Sequence, residues 1–241
     1  MIKLLIISDD FTGALDTGVK FSAAGARTRV STDTQIDFRQ EIAEEVLVLC
    51  APTRHLPPRE AYDMIRSIAQ RAVAAHIGCV YKKTDSALRG NIGAELSAVL
   101  DGSGEKCLSF IPALPGMNRI TVDGVHYIDG VPVDQSVFGQ DPFEPVTESR
   151  VPDLLHLQCD VPVKVISPEE LDSFRPGEEK CIYLFDCASR EDMEREAQRL
   201  YLLGCLKLLA GCAGLAESLP GYLGLRMGEK PQCRIEANRL V

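Results

Sequence analysis

The sequence predicts a Rossmann-like three-layer α/β domain, with a mainly parallel sheet, helices on both faces and one β-hairpin excursion. Three observations carry this reading. Short runs rich in Val, Ile and Leu recur with little polar alternation, as in strands buried on both faces. Longer amphipathic stretches fit between them, giving the strand–helix rhythm of a parallel sheet. The chain has 241 residues, enough for one large domain, or one domain plus a trailing piece.

The elements follow in order. A first strand at 2–7 leads into a helix that Thr12 can cap and that runs to about Ala24, with Gly25 just past its end. Strands are expected at 28–31 and 46–50. Pro57-Pro58 opens a long helix to about Ala75, stopped by Gly78. A strand at 79–81 precedes a polar run and a shorter helix at 92–100, followed by a strand at 107–111. There the rhythm breaks. Asp129-Gly130, set among β-prone residues in 121–133, predicts an antiparallel hairpin. The polar stretch 140–152 carries Pro142, Pro145 and Pro152 and is expected to be a surface loop. Strands at 163–166 and 181–185 resume the pattern. Ser189 starts a helix with Glu191 and Asp192 in its first turn, running to Leu203 and stopped by Gly204. A last strand at 206–209 leads through glycines to a short helix at 214–219. Residues 1–225 form the expected domain, and 226–241 reads as a tail or a linker toward a further domain.

Composition narrows the function. The formal charge is −9 with no Lys/Arg-rich block, which disfavours nucleic acid as a partner. A small anion is still compatible, because a local cationic pocket can sit inside an acidic protein. Nine cysteines, an odd number without any CxxC pair, point to buried reduced thiols and a reducing compartment rather than a zinc site. The first strand is too briefly apolar for a signal peptide, and no apolar run approaches the roughly 20 residues that span a bilayer. A cytoplasmic location, no membrane partner and no protein-bound metal are expected.

Polar groups gather at predicted strand ends, where open α/β sheets bind ligands. After the first strand come Ser8-Asp9-Asp10-Phe11-Thr12-Gly13. Two adjacent carboxylates repel unless a cation lies beside them, although one acid or Thr12 could simply cap the helix. After the fourth come Lys82-Lys83-Thr84-Asp85-Ser86-Ala87-Leu88-Arg89-Gly90-Asn91, dense in donors and cations that can neutralise an anion. Arg54 follows the third strand. Gly211-Cys212-Ala213-Gly214 follows the last, where backbone amides could approach a phosphate or glycines could simply allow close packing. A haloacid-dehalogenase-type phosphatase would need an aspartate where Phe11 stands, and a receiver domain would need one where Ala51-Pro52-Thr53 stands.

Asp9-Asp10-Phe11-Thr12-Gly13-Ala14 with Asp16-Thr17-Gly18, the block from Lys82 to Glu95, Pro112-Ala113-Leu114-Pro115 and Gly124-Val125-His126-Tyr127 together resemble the four-carbon acid sugar kinase family. The similarity runs from the first strand to about Leu219. It implies ATP-dependent phosphorylation of a threonate, erythronate or oxo-tetronate type acid. In that family the amino-terminal half binds the sugar acid and the carboxy-terminal half the nucleotide. The resemblance therefore implies that this chain is the sugar-acid-binding half, inactive alone. ATP and Mg²⁺ would be held mostly outside it, by a separate or truncated nucleotide-binding domain. It also implies roles. Arg54, Lys82 or Arg89 would meet the substrate carboxylate, and Asp9, Asp10 or Asp85 the hydroxyls. Thr12, Lys83, Ser86 and Asn91 complete the expected substrate site, and Gly211 and Gly214 are the cofactor candidates in this chain. Asp10, before Asp9, would orient the attacking hydroxyl or accept its proton, while Lys82 would offset charge on the transferred group. The alternative is a non-catalytic sugar-acid binding or regulatory module. A face left exposed by an absent partner domain would invite homo-oligomerisation.

Overall fold

The computed structural model describes residues 1–40 and 42–228. Eight strands form one sheet, every neighbouring pair parallel: β1 (Leu4–Ser8), β2 (Thr28–Ser31), β3 (Val46–Cys50), β4 (Cys79–Lys83), β5 (Cys107–Ile111), β9 (Val163–Ile166), β10 (Cys181–Phe185) and β11 (Leu208–Gly211). Their spatial order is β2-β3-β1-β4-β11-β5-β10-β9. From β1 the chain goes to the edge strand β2, comes back to β3 beside β1, and then crosses to place β4 on the other side of β1. The β1/β4 boundary is thus a point where the winding reverses, and parallel sheets open a crevice there beyond the strand ends.

Alternate residues of each central strand serve opposite faces. Leu5 and Ile7 of β1 join a core with Leu47, Leu49, Ile65, Leu96 and Leu108, under helices α2 (Pro58–Ala74), α3 (Ile92–Ser103) and α4 (Val151–His156). Leu4 and Ile6 join the other, with Phe21, Val48, Tyr81, Phe185 and Leu200, under α1 (Phe11–Ala23), α5 (Arg190–Leu202) and α6 (Ala213–Ser218). Such two-sided burial explains why the strands read as unbroken apolar runs.

A separate three-stranded antiparallel sheet, β6 (Arg119–Val122), β7 (Val125–Ile128) and β8 (Val131–Pro132), is the expected excursion with one strand more. Its two turns are Asp123-Gly124 (φ 52° and 73°) and Asp129-Gly130 (φ 51° and 79°), pairs in which both residues take the left-handed conformation of a tight hairpin.

Several local expectations need correction. Asp10, not Thr12, caps α1, its carboxylate accepting from the Gly13 amide at 2.8 Å, and Thr12 lies exposed in the first turn. The helix α2 ends at Ala74, and the left-handed residue beyond it is His76 (φ 57°) rather than Gly78. β4 continues two residues further than expected, so Lys82 and Lys83 sit in register with Ile7 and Ser8 of β1. The stretch 140–152 is not wholly a surface loop. Val151 and Pro152 open α4, a position proline favours, and Val146 and Val151 are buried. None of the eight described cysteines is bridged, and burial pushes the Cys79 thiol up to about 12. Cys233 and the rest of 229–241 lie outside the described residues. Arg226–Gly228 lie back on the domain, where Met227 bridges to Ala26 and the Gly228 amide donates to Gly25 O at 2.8 Å. No described helix is long and apolar enough to cross a membrane.

Candidate functional site

Strands β3, β1 and β4 are neighbours, so their carboxyl ends deliver Arg54, Asp9-Asp10 and Lys83–Asp85 to one place. Arg54 is the hub. Its Nε donates to Asp9 Oδ2 at 2.7 Å and its Nη1 to Asp10 Oδ2 at 3.0 Å, and its Nη2 lies 3.9 Å from Asp85 Oδ1. Burial would lower the guanidinium's pKa, but Asp9, Asp85 and Asp10 hold it above its ordinary value. The cation anticipated between the adjacent acids is therefore a protein side chain. Arg89 grips Asp85 through two bonds, Nε to Oδ2 at 2.7 Å and Nη2 to Oδ1 at 3.2 Å, and reaches Asp141 at 3.2 Å. Burial raises the Asp85 carboxyl, yet the Arg89 bond and the charges of Arg54, Arg89 and Lys83 bring it below the usual range.

Close approach shapes the loop around this hub. A Cβ on Gly13 would stand 2.5 Å from Asp10 Oδ1 and 2.8 Å from Lys83 Nζ, so glycine is what lets that carboxylate and that ammonium lie over the start of α1. Gly90, at φ 87°, gives Arg54 the same room. The Asn91 amide donates to Thr53 O at 2.9 Å and Leu56 O at 2.8 Å, clipping the loop that carries Arg54. Asn91 thus positions the hub, and Thr12 is exposed in the first turn of α1, two residues beyond Asp10.

The two lysines of β4 point to different surroundings. Lys82 is fully buried, with Nζ 2.6 Å from Glu95 Oε2 and 2.8 Å from Lys83 O. Burial and the Asp9 charge raise the Glu95 carboxyl, with Lys82 acting against them, and the Thr53 hydroxyl donates to Glu95 as well. Lys82, expected to contact the reacting group, is enclosed beneath the strand ends. Lys83 Nζ donates to Thr84 O at 2.7 Å.

The antiparallel sheet is latched onto this face by His126. Its Nε2 lies 2.9 Å from Ser86 O, which can only accept, so that nitrogen carries the proton; Nδ1 then accepts from the Thr121 hydroxyl at 3.0 Å. Burial pushes this imidazole down to about 4, so it is neutral near pH 7. The same sheet brings Arg119 to Ser86, its Nη1 donating to the hydroxyl. Arg119 and Arg89 each hold their guanidinium carbon 5.1 Å from the Phe138 ring centroid.

A family profile described as "Sugar-binding N-terminal domain" matches residues 4–219. The chain belongs to that family. Among curated proteins it is 32% identical over 228 residues to a D-threonate kinase of Salmonella typhimurium, covering 91% of this chain and 53% of that one. It is 29% identical over 239 residues to a D-erythronate kinase of Heliobacterium modesticaldum, covering 92% and 54%. Among solved structures, a Bordetella bronchiseptica protein crystallised with bound citrate as a domain-swapped dimer superposes with a TM-score of 0.79 at 31% identity, over 91% of this chain and 56% of that one. The chain therefore spans about half the length of the curated relatives it matches.

The two glycines expected to approach a cofactor are closely packed. A Cβ on Gly211 would meet Ile111 O at 2.3 Å, and one on Gly214 would meet Ala113 O at 2.6 Å. Close approach to those carbonyl oxygens leaves no room for a side chain at either position. Among the described residues no group of three or more metal-ligating side chains is arranged to hold an ion. The residues missed by sequence reasoning are Thr53, Asp141, Phe138 and Arg119, together with the role of Glu95. A carboxylate on the otherwise apolar face of α3 was the one available signal for Glu95.

Proposed function

We propose that this chain is the sugar-acid-binding half of an ATP-dependent kinase acting on a four-carbon sugar acid of the threonate, erythronate or oxo-tetronate type. The observation that carries this reading is the Asp9–Arg54–Asp10 hub, with Asp85, at the winding reversal between β1 and β4. A polyol acid needs acceptors for its hydroxyls, and this cluster supplies carboxylates held in place before the ligand arrives, which lowers the cost of ordering them. Asp9 Oδ1 and the Thr84 hydroxyl are buried without a partner among the described residues, an arrangement that a bound polyol could satisfy.

Asp10 is the residue to orient the attacking hydroxyl and accept its proton. It is the more exposed of the two adjacent acids, 27% against 2% for the Asp9 side chain, and the Gly13 amide and Arg54 fix its carboxylate. Asn91 and Gly90 hold Arg54, and Lys82–Glu95 supports the strand ends from below. In this reading the nucleotide is brought by a further α/β unit.

Isothermal titration of the chain with D-threonate and D-erythronate, with and without ATP and Mg²⁺, tests the proposal, alongside an ADP-release assay. Acid binding without ADP release is expected from the chain alone, and Asp10→Asn should abolish turnover in the complemented enzyme while leaving acid binding within about tenfold. Turnover by the isolated chain would refute its incompleteness. Unchanged turnover in Asp10→Asn would refute the role of Asp10.

A further inference from the structure

We propose that Arg119, acting with Lys83 and Ser86, forms the subsite for the carboxylate of the acid substrate. This rests on the sugar-acid reading above and assigns a residue that no motif singled out. The guanidinium groups of Arg54 and Arg89 face four carboxylates, Asp9, Asp10, Asp85 and Asp141. That cluster carries more negative than positive charge, so an approaching carboxylate is repelled there, whereas a hydroxyl is welcome. Lys82 is neutralised by Glu95 and has no exposed surface. Two cations remain. Among the described residues neither Lys83 nor Arg119 has a carboxylate within 4.0 Å, and the polar partners of their charged ends are the Thr84 carbonyl and the Ser86 hydroxyl.

The two share surroundings. Arg119 holds Ser86, three residues beyond Lys83, and burial raises the nearby Cys212 thiol while the charges of Lys83 and Arg119 both act against that rise. Arg119 is half-buried on β6, and one face of the Phe138 ring supports its guanidinium, so the group is oriented before any ligand binds. His126 fixes the sheet that carries it to the carbonyl of Ser86. A guanidinium that is placed, partly desolvated and without an acid partner is suited to grip a carboxylate by two parallel bonds. The acid and hydroxyl ends of the substrate would then meet cationic and anionic parts of one site.

The test compares an acid with its neutral counterpart. The chain and its Arg119→Met, Arg119→Lys and Lys83→Met variants are titrated calorimetrically with D-threonate and with the four-carbon alcohol threitol, and each variant is melted to check folding. Arg119→Met should bind the acid about 10- to 100-fold more weakly, the scale of a charged hydrogen bond, and leave the affinity for the alcohol unchanged. Arg119→Lys should lose less. If Arg119→Met does not fold, Lys83→Met carries the same expectation. Equal discrimination between acid and alcohol in wild type and folded variants would overturn the proposal while leaving the sugar-acid reading intact. A wild-type chain that binds neither ligand would overturn the sugar-acid reading and the subsite with it. Titration with inorganic phosphate is the remaining arm. A variant that loses phosphate but keeps its preference for the acid would assign the subsite to the phosphoryl group and refute the assignment to the carboxylate.

Discussion

Replacing Lys82 by Met tests whether this lysine is a strut or a substrate ligand. Its side chain is 0% exposed and that of Glu95 1%, with 2.6 Å between the charged atoms. Removing the ammonium leaves a buried carboxylate with the Thr53 hydroxyl as its remaining donor. Breaking such a pair from one side costs about 3–5 kcal/mol, a large share of the roughly 5–15 kcal/mol that holds a domain together. For a chain of this size that is a fall in Tm of about 6–20 °C. Lys82→Met/Glu95→Leu removes both charges and should lie within about 1 kcal/mol of wild type, or above it. Burial already raises the Glu95 carboxyl, with the Asp9 charge adding to it against Lys82. Without Lys82 the carboxyl retains its proton more readily, so the penalty of the single variant should shrink as pH falls below neutrality. Urea unfolding at pH 7 and pH 5 measures these quantities, and titration with D-threonate reads the site. A single-variant cost below about 1 kcal/mol, or a double variant equal to the sum of the singles, would refute the pairing. A stable double variant that has lost its affinity for the acid would show that Lys82 touches the ligand.

Three further predictions concern charges on and behind the same face. Arg54→Met leaves Asp9, Asp10 and Asp85 facing one another, and should cost about 3–5 kcal/mol at pH 7 in urea unfolding. His126 titrates near 4 when folded and near 6.5 in the unfolded chain, so the unfolded state takes up its proton first as pH falls. Its contribution is full above about pH 6.5 and is lost toward pH 4, about 3 kcal/mol in all, and stability profiles of wild type and His126→Gln should converge by that amount across the window. Glu196 has the opposite sign. Burial pushes it up to about 9 from 4.5, with the Asp192 charge adding, so the folded state retains the proton and stability falls as pH rises toward 9. Glu196→Gln should therefore melt higher than wild type at pH 8 and about equally at pH 5, by calorimetry.

Much of the fold was legible because its strands are buried on both faces. Runs such as Val46–Cys50 and Cys181–Phe185 contain little but apolar residues, and their ends fall where the composition changes. One boundary moved for an electrostatic reason. β4 carries Lys82 and Lys83 into the sheet, and a charged residue in a buried strand is stable when its partner comes from a distant element, here Glu95 on α3. Nothing within the strand announces that partner. The α4 helix was hidden by Pro152, which reads as a loop residue until it is placed in a helix's first turn. At the site, the residues that cluster in sequence were found because three strand ends are adjacent in space. Arg119, Phe138 and Asp141 were not, since each reaches the site through the antiparallel sheet or the loop after it, whose docking rests on contacts between residues far apart in sequence, among them His126 with Ser86 and Thr121 with Cys187.

That division has a physical basis. Strand ends at a winding reversal hold backbone and side chains to a narrow geometry, which suits a cluster of carboxylates that must be kept together against their own repulsion. The arginines that make the cluster stable are consumed in doing so: Arg54 is shared by three acids and Arg89 by two. Of the strand-end cations at the site, Lys83 alone has no carboxylate within 4.0 Å among the described residues. In the proposed reading, recognition of an acid draws on the cations not committed to holding the cluster, Lys83 at the end of β4 and Arg119 on the antiparallel sheet. On that proposal, the sheet that looks like an interruption of the parallel pattern is the element whose Arg119 gives the site its selectivity for an acid over the matching alcohol.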